Sequence, residues 1–204
     1  MDVDKLKGIG SKNKENLKRL GIYTVSDLYN YYPKEYEDRR KLYRVGAVRD
    51  DAKHFFLIKI SSNLVTKKTK QGYISYIYGI DYSNITSEDT NKVRVLFFND
   101  RFGPRALKKG RVYKFFGKIK LNNNFYELVN PEFCNQEDNT IGSIFPIYSL
   151  TSDITNKKLQ GFIGKALEKF DPSEQFLNNE ILERFNLKFR YDCLVEIHKP
   201  TSIE

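Results

Sequence analysis

Two phenylalanines four positions apart, Phe98 and Phe102, flank a short loop carrying Arg101, within a stretch rich in cations that runs over residues 91–120. Ring faces stack on nucleobases and Lys or Arg neutralises phosphates, so the chemistry offered by this combination is nucleic-acid binding. Over residues 92–98 the side chains alternate, with Val93, Val95 and Phe97 on one face and Arg94, Leu96 and Phe98 on the other, as in a strand. Phe98 thus leaves the core face at the strand's end. Phe102 follows in a loop before Pro104, a favoured first residue of a helix, which Gly110 is placed to close. The next strand, over residues 112–120, sets Tyr113, Phe115 and Ile119 against Lys114, Phe116, Lys118 and Lys120. Alternation and proximity to the loop select Arg94, Arg101, Arg105, Lys114, Lys118 and Lys120 as phosphate-binding candidates. An aromatic beside a loop can instead be a lid on a small core, and a lysine-bearing face can be merely solvated. Exposure of the two rings separates these readings.

The elements that must hold these side chains form an α+β chain. Strand candidates span residues 54–65, 73–82, 92–98, 112–120 and 125–129, with a single helix between the third and fourth. Five strands with that helix placement resemble the OB-fold, a partly open barrel that binds oligonucleotides. The segment 66–72, TKKTKQG, reads as a basic hairpin tip, and the polar insert 83–91 as a mobile loop. Before the barrel, Gly8 and Gly10 make a tight turn, Ser11 can cap a helix carrying Leu17 and Leu20, and Gly21 can end it. Thr24 and Asp27 form a capping-box pattern for a second helix, with Leu28 and Tyr31 inward and Pro33 beyond it. Gly8, Ile9 and Gly10 before a helix resemble the helix-hairpin-helix family, whose glycines let backbone N–H groups approach a phosphate. The same hairpin can equally be a packing device. After the barrel, an irregular stretch leads to helices over residues 156–170, 178–185 and 191–198, the first with Leu159, Phe162, Ile163, Ala166 and Leu167 at helical spacing. That face is expected to pack on the barrel or on a following domain. The resulting division is a helical segment 1–51, a barrel 52–130, and a linker with helices 131–204.

The net charge of +9 over 204 residues is unevenly distributed. Residues 1–51 carry twelve Lys+Arg against nine Asp+Glu, residues 52–130 fifteen against five, and residues 131–204 eight against twelve. The excess lies in the barrel, where it would steer a polyanion, while the acidic last third argues against a uniformly basic composition. No apolar run is long enough for a membrane span and the start resembles no secretory signal, so a cytoplasmic location is expected. Two cysteines, Cys134 and Cys193, and two histidines, His54 and His198, stand in no metal-ligand spacing and form no nucleophile–base pair, which leaves no metal site and no hydrolytic site.

Several islands of sequence carry a resemblance across residues 6–200: LKGIGSKNKENLKRLGIYTVSDLYNYYPKEYEDRR, VLFFNDRF, GKIK followed by NPEF, FPIYSLT, and CLVEIHKP. In this order they resemble the N-terminal part of the RecG family of ATP-dependent DNA helicases, which remodel branched DNA. The resemblance implies a wedge that splits replication forks and Holliday-type junctions in repair and recombination, with branched DNA and the helicase motor of the same protein as partners and the nucleoid as the site of action. It also implies that Phe98 and Phe102 stack on bases where strands separate. Phe102 stands where the family often has tyrosine, and Ser11 where a proline is common. A motor needs a G-x-x-x-x-G-K-[ST] loop to cradle nucleotide phosphates, and this sequence contains none. The chain is therefore expected to be a fragment that binds DNA without being an enzyme and without a cofactor, ATP and Mg belonging to the motor. Two other classes stay open: an RNA- or tRNA-binding OB module indifferent to junction geometry, and a protein-docking scaffold whose DNA affinity hardly responds to salt.

Overall fold

The computed structural model describes residues 1–83, 91–123, 125–151 and 153–202. In chain order the elements are α1 (Ser11–Lys18), α2 (Val25–Tyr29), β1 (Glu35–Asp38), β2 (His54–Ile60), β3 (Val65–Thr69), β4 (Gly72–Asp81), β5 (Lys92–Phe98), β6 (Val112–Gly117), β7 (Ile119–Asn122), β8 (Phe125–Val129), β9 (Glu132–Asn135), β10 (Ile144–Ile147), α3 (Asn156–Leu167), α4 (Asn179–Arg184) and α5 (Arg190–His198). They fall into two compact units, Met1–Glu37 with Ile144–Glu204, and Asp38–Ser143.

The first unit joins the two ends of the chain, which the sequence boundaries at 51 and 131 keep apart. The cause is the apolar stripe of α3: Leu159, Phe162, Ile163, Ala166 and Leu167 share one core with Leu17, Ile22, Val25, Leu28 and Tyr29. The stripe is thus covered by the N-terminal helices of its own unit. Thr24 and Asp27 form both halves of the capping box, the Thr24 hydroxyl accepting the Asp27 N–H at 3.1 Å and the Asp27 carboxylate accepting the Thr24 N–H at 2.8 Å. Tyr29 is the fully buried tyrosine at the end of α2, and Tyr31 only packs against the cluster. Gly10 is the N-cap of α1, with Ser11 its first residue, and a single 3-10 turn, Val3–Lys5, takes the place of a helix before the glycine hairpin. β1 and β10 form a two-stranded ribbon.

His198, at the end of α5, is buried in this unit, with Nε2 2.8 Å from the Tyr29 carbonyl and Nδ1 2.8 Å from the Tyr148 hydroxyl. A carbonyl only accepts, so Nε2 carries the proton and Nδ1 accepts from Tyr148. Burial holds the imidazole below its ordinary pKa. The unfolded chain therefore takes up the proton first, near pH 6.5, and this contribution to stability is complete above that pH and lost as pH falls through the folded value. Thermal melts between pH 7.5 and 5.5 should show a falling Tm for the native chain, with a shallower pH dependence for His198→Gln.

In the second unit the strands follow the order β7-β8-β5-β4-β2-β6-β9, with β3 paired to β4. All neighbours are antiparallel except β5 and β8, where Val93 faces Tyr126 and Leu96 faces Val129. β6, next to the terminal strand β9, ends at Gly117 and β7, at the other end of the order, begins at Ile119, so one residue, Lys118, carries the chain from one side of the sheet to the other. This is the OB-like fold expected from the sequence, but among the described residues its sheet has eight strands in place of five runs. The run 54–65 stops at Ile60 and Val65–Thr69 is a separate strand, the run 112–120 breaks at Lys118, and β9 lies in a stretch that reads as irregular. Phe56, Ile58, Ile77, Val93, Val95, Phe97, Phe115 and Leu128 fill the core. Gly79 is required for the contact of β2 and β4, since a Cβ there would lie 2.4 Å from Ile58 Cγ2 and 2.8 Å from the Lys59 carbonyl. Of the polar insert 83–91, residues 84–90 lie outside the described residues.

Candidate nucleic-acid interface

The alternation of β5 holds in space: Val93, Val95 and Phe97 are buried, Arg94 and Leu96 half-buried, and Phe98 is 44% exposed. Phe102 is 72% exposed. Neither ring lies in the barrel core, so the lid reading does not apply to them. The loop between them is braced by hydrogen bonds to its backbone. The Phe98 N–H donates to Asn130 Oδ1 at 2.8 Å, and the Asn99 N–H to the Tyr73 carbonyl at 2.8 Å. Asp100 Oδ1 accepts from the N–H groups of Phe102 and Gly103 at 3.1 and 2.9 Å, an Asx-type turn that fixes where the second ring stands. The Asp100 carbonyl is held in turn by the hydroxyl of buried Ser75 at 3.2 Å. A Cβ at Gly103 would lie 2.4 Å from Asp100 Oδ2, so a larger residue there would push aside the carboxylate that makes this turn. The helix expected after Pro104 is a single 3-10 turn, Gly103–Ala106, with Pro104 buried beneath it.

The cation candidates separate into three groups. Arg101 and Arg105 belong to the tip: the Arg101 guanidinium lies 4.2 Å above the Tyr73 ring and 5.9 Å from Phe102, and Arg105 lies 5.2 Å from Phe102. Lys118 and Lys120 line a cleft of about 380 Å³ with Lys53, Phe116, Glu127, Asn130 and Glu132. Asn130 also accepts the Phe98 N–H, which joins this cleft to the tip. Arg94 and Lys114 are held by other groups. Arg94 pairs with Glu127 across the parallel strands, which raises the guanidinium pKa. Glu127 is held below the ordinary carboxylate range, first by the Asn122 amide and then by Arg94. Lys114 is half-buried and donates to the Asp138 carbonyl at 2.9 Å, on a strand separated from β5 by β4 and β2. Phe116, expected on a basic outer face, is buried with Phe55, Cys134 and Ile141.

Gly8 and Gly10 lie in the other unit. Gly8 has φ +94°, with Lys165 Nζ 3.2 Å from where its Cβ would be. Gly10 faces open space, while Leu6 and Ile9 beside it are buried in the helical core. The hairpin therefore combines an exposed helix start with a packing role.

Sequence reasoning did not single out Tyr73, Asp100, Asn130 or Lys53. The pattern Asn-Asp-x-x-Gly at residues 99–103 is the Asx-turn signal that could have found Asp100. Among the described residues no group of His, Cys, Asp and Glu could hold a metal ion, and no helix is long and apolar enough to cross a membrane. Both cysteines are free thiols.

The RecG wedge domain family matches residues 2–169. The ATP-dependent DNA helicase RecG of Thermotoga maritima is 29% identical over 210 residues, covering 98% of this chain and 25% of that protein. The Bacillus subtilis RecG is 28% identical over 208 residues, covering 99% of this chain and 28% of that protein. The chain thus spans about a quarter of the length of these relatives. A solved structure of RecG bound to a three-way DNA junction superposes with a TM-score of 0.81 at 27% identity, covering 99% of this chain and 27% of that one. The family match over most of the length, the relatives and the shared fold agree: this chain belongs to the RecG wedge domain family.

Proposed function

We propose that this chain is the branched-DNA-binding wedge of a RecG-like helicase, which recognises forks and junctions and separates their strands. The observation that carries this is the pair of exposed rings, Phe98 and Phe102, on a loop fixed by Asn130 and Asp100 and flanked by Arg101 and Arg105. A base pair at a branch point has one face without a neighbour, and a rigid ring there replaces lost stacking at about 1–3 kcal/mol per base. The cations hold the arms by their phosphates and carry no sequence information. The chain works as a binding module without enzymatic activity or cofactor of its own, acting at the DNA of the cytoplasmic nucleoid. ATP and Mg chemistry would come from motor domains of a longer protein, which would pull duplex past the wedge.

Equilibrium binding to a three-way junction, a linear duplex and a single strand of matched length tests the reading. The junction should bind most tightly. With about four phosphate contacts, affinity should fall roughly 100-fold between 50 and 200 mM salt. Equal affinity for all three DNAs would favour a general OB module, and indifference to salt a protein-docking scaffold.

A further inference from the structure

Two lysines of the cleft beside Phe98 take part in a charge arrangement that the stacking loop does not explain. Asp51 is bracketed by two ammonium groups, Lys118 Nζ at 2.9 Å from Oδ2 and Lys120 Nζ at 3.6 Å from Oδ1. Lys53 stands on the same cleft, its Nζ 6.0 Å from the centre of the Phe116 ring. The two carboxylates that line the cleft itself are already neutralised: Glu127 by Arg94 and the Asn122 amide, and Glu132 by Arg39 at 2.9 and 3.2 Å. Among the described residues Lys118 and Lys120 are therefore opposed by one carboxylate, that of Asp51, which shows how an O–X–O anion of charge −1 fits between them. A phosphodiester has the same charge and the same pair of non-bridging oxygens.

We propose that this cleft is a phosphodiester site for the DNA strand passing Phe98, and that Asp51 competes with the DNA phosphate for Lys118 and Lys120. The proposal rests on the branched-DNA reading above and adds a site and a modulator to it. Asp51 is well exposed, and exposed ion pairs are weak, so a phosphate held at several points displaces it. The Lys118 and Lys120 ammonium groups hold its carboxyl below the ordinary range, so Asp51 is ionised wherever the protein is folded at neutral pH. The consequence is moderated affinity: the wedge grips a junction less tightly than its lysines would allow.

The test uses the whole chain and a three-way junction, with Asp51→Asn, the pair Lys118→Ala with Lys120→Ala, the triple variant, and Glu137→Gln as a control at an exposed carboxylate elsewhere in the barrel. Asp51→Asn should tighten binding about three- to fivefold, the factor expected when one exposed ion pair is released. It should also steepen the salt slope by about one contact. Glu137→Gln should have a much smaller effect, and Asp51→Asn should have none once both lysines are gone. If Asp51→Asn acts no more than Glu137→Gln, or acts equally without the lysines, the cleft is not the site, whatever the junction preference of the native chain. If the native chain binds no DNA, the branched-DNA reading fails and takes this proposal with it.

Discussion

Replacing Phe98 and Phe102 together by alanine is expected to remove the preference for a three-way junction over a duplex of equal length while leaving the salt slope unchanged. Phenylalanine rings neutralise no phosphate charge, so the electrostatic part of binding, proposed above for Arg101, Arg105, Lys118 and Lys120, should survive. Base stacking on a ring is worth about 1–3 kcal/mol, so loss of both should reduce junction affinity by at least tenfold and shift duplex affinity little. The single substitutions should be unequal. Phe102 stands clear of the sheet at 72% exposure, whereas Phe98 extends from β5 and keeps part of its surface against the barrel. Phe102→Ala is therefore the larger loss. Phe102→Tyr should retain full selectivity because the ring face is kept, and Phe102→Leu should not, because bulk without a π-face does not stack. Asp100→Ala offers an independent check: it keeps both rings but frees the N–H groups of Phe102 and Gly103, so selectivity should weaken without loss of the aromatic groups. Equal junction preference in the native and doubly substituted chains would show that the rings are not the wedge tip.

The parts of this site that sequence exposes are those governed by local periodicity. The alternation of residues 92–98 is enough to send Phe98 outward, because a buried face on one side of a strand forces the other side out. The Thr24 and Asp27 pattern is equally local, a reciprocal pair three residues apart. What could not be read depends on partners distant in sequence. Arg94 looks like a free cation on its strand and is paired with Glu127 only because β5 and β8 run parallel side by side. Lys114 alternates outward as expected, yet the Asp138 main-chain carbonyl, just after β9, accepts a hydrogen bond from it. Phe116 sits on the outer side by parity and is still buried, because β9 and Ile141 cover that face with a second small core. The joining of the chain ends in one core has the same origin. The apolar stripe of α3 specifies that it must be covered and not by which segment.

Arg39 shows the largest such effect, and its replacement by alanine should destabilise the barrel unit by about 2–4 kcal/mol. In the sequence it is one of two adjacent arginines with nothing to distinguish them. In the fold Arg40 is exposed and folds back on Asp38, while the Arg39 side chain is only 2% exposed. Its guanidinium binds Glu132 through two nitrogens, lies 4.3 Å from the centre of the Phe116 ring, and its N–H donates to the Ser143 carbonyl at 3.0 Å. The main-chain bond survives substitution, so the loss is that of the bidentate pair, the ring contact and the packed aliphatic stem. Glu132 is half exposed and can be solvated once its partner is gone, which keeps the cost below that of a stranded buried charge. Arg39→Met should recover part of the loss by refilling the space over Phe116, whereas Arg39→Lys, with a single ammonium, cannot rebuild the fork. Thermal melting followed by circular dichroism should show the alanine variant lowered by roughly 4–16 °C, at about 2–4 °C per kcal/mol for a chain of this size, with methionine between it and the native chain. Arg40→Ala should melt like the native chain. An Arg39→Ala protein as stable as Arg40→Ala would mean that the buried pair contributes nothing net, its attraction cancelled by the cost of taking the guanidinium out of water.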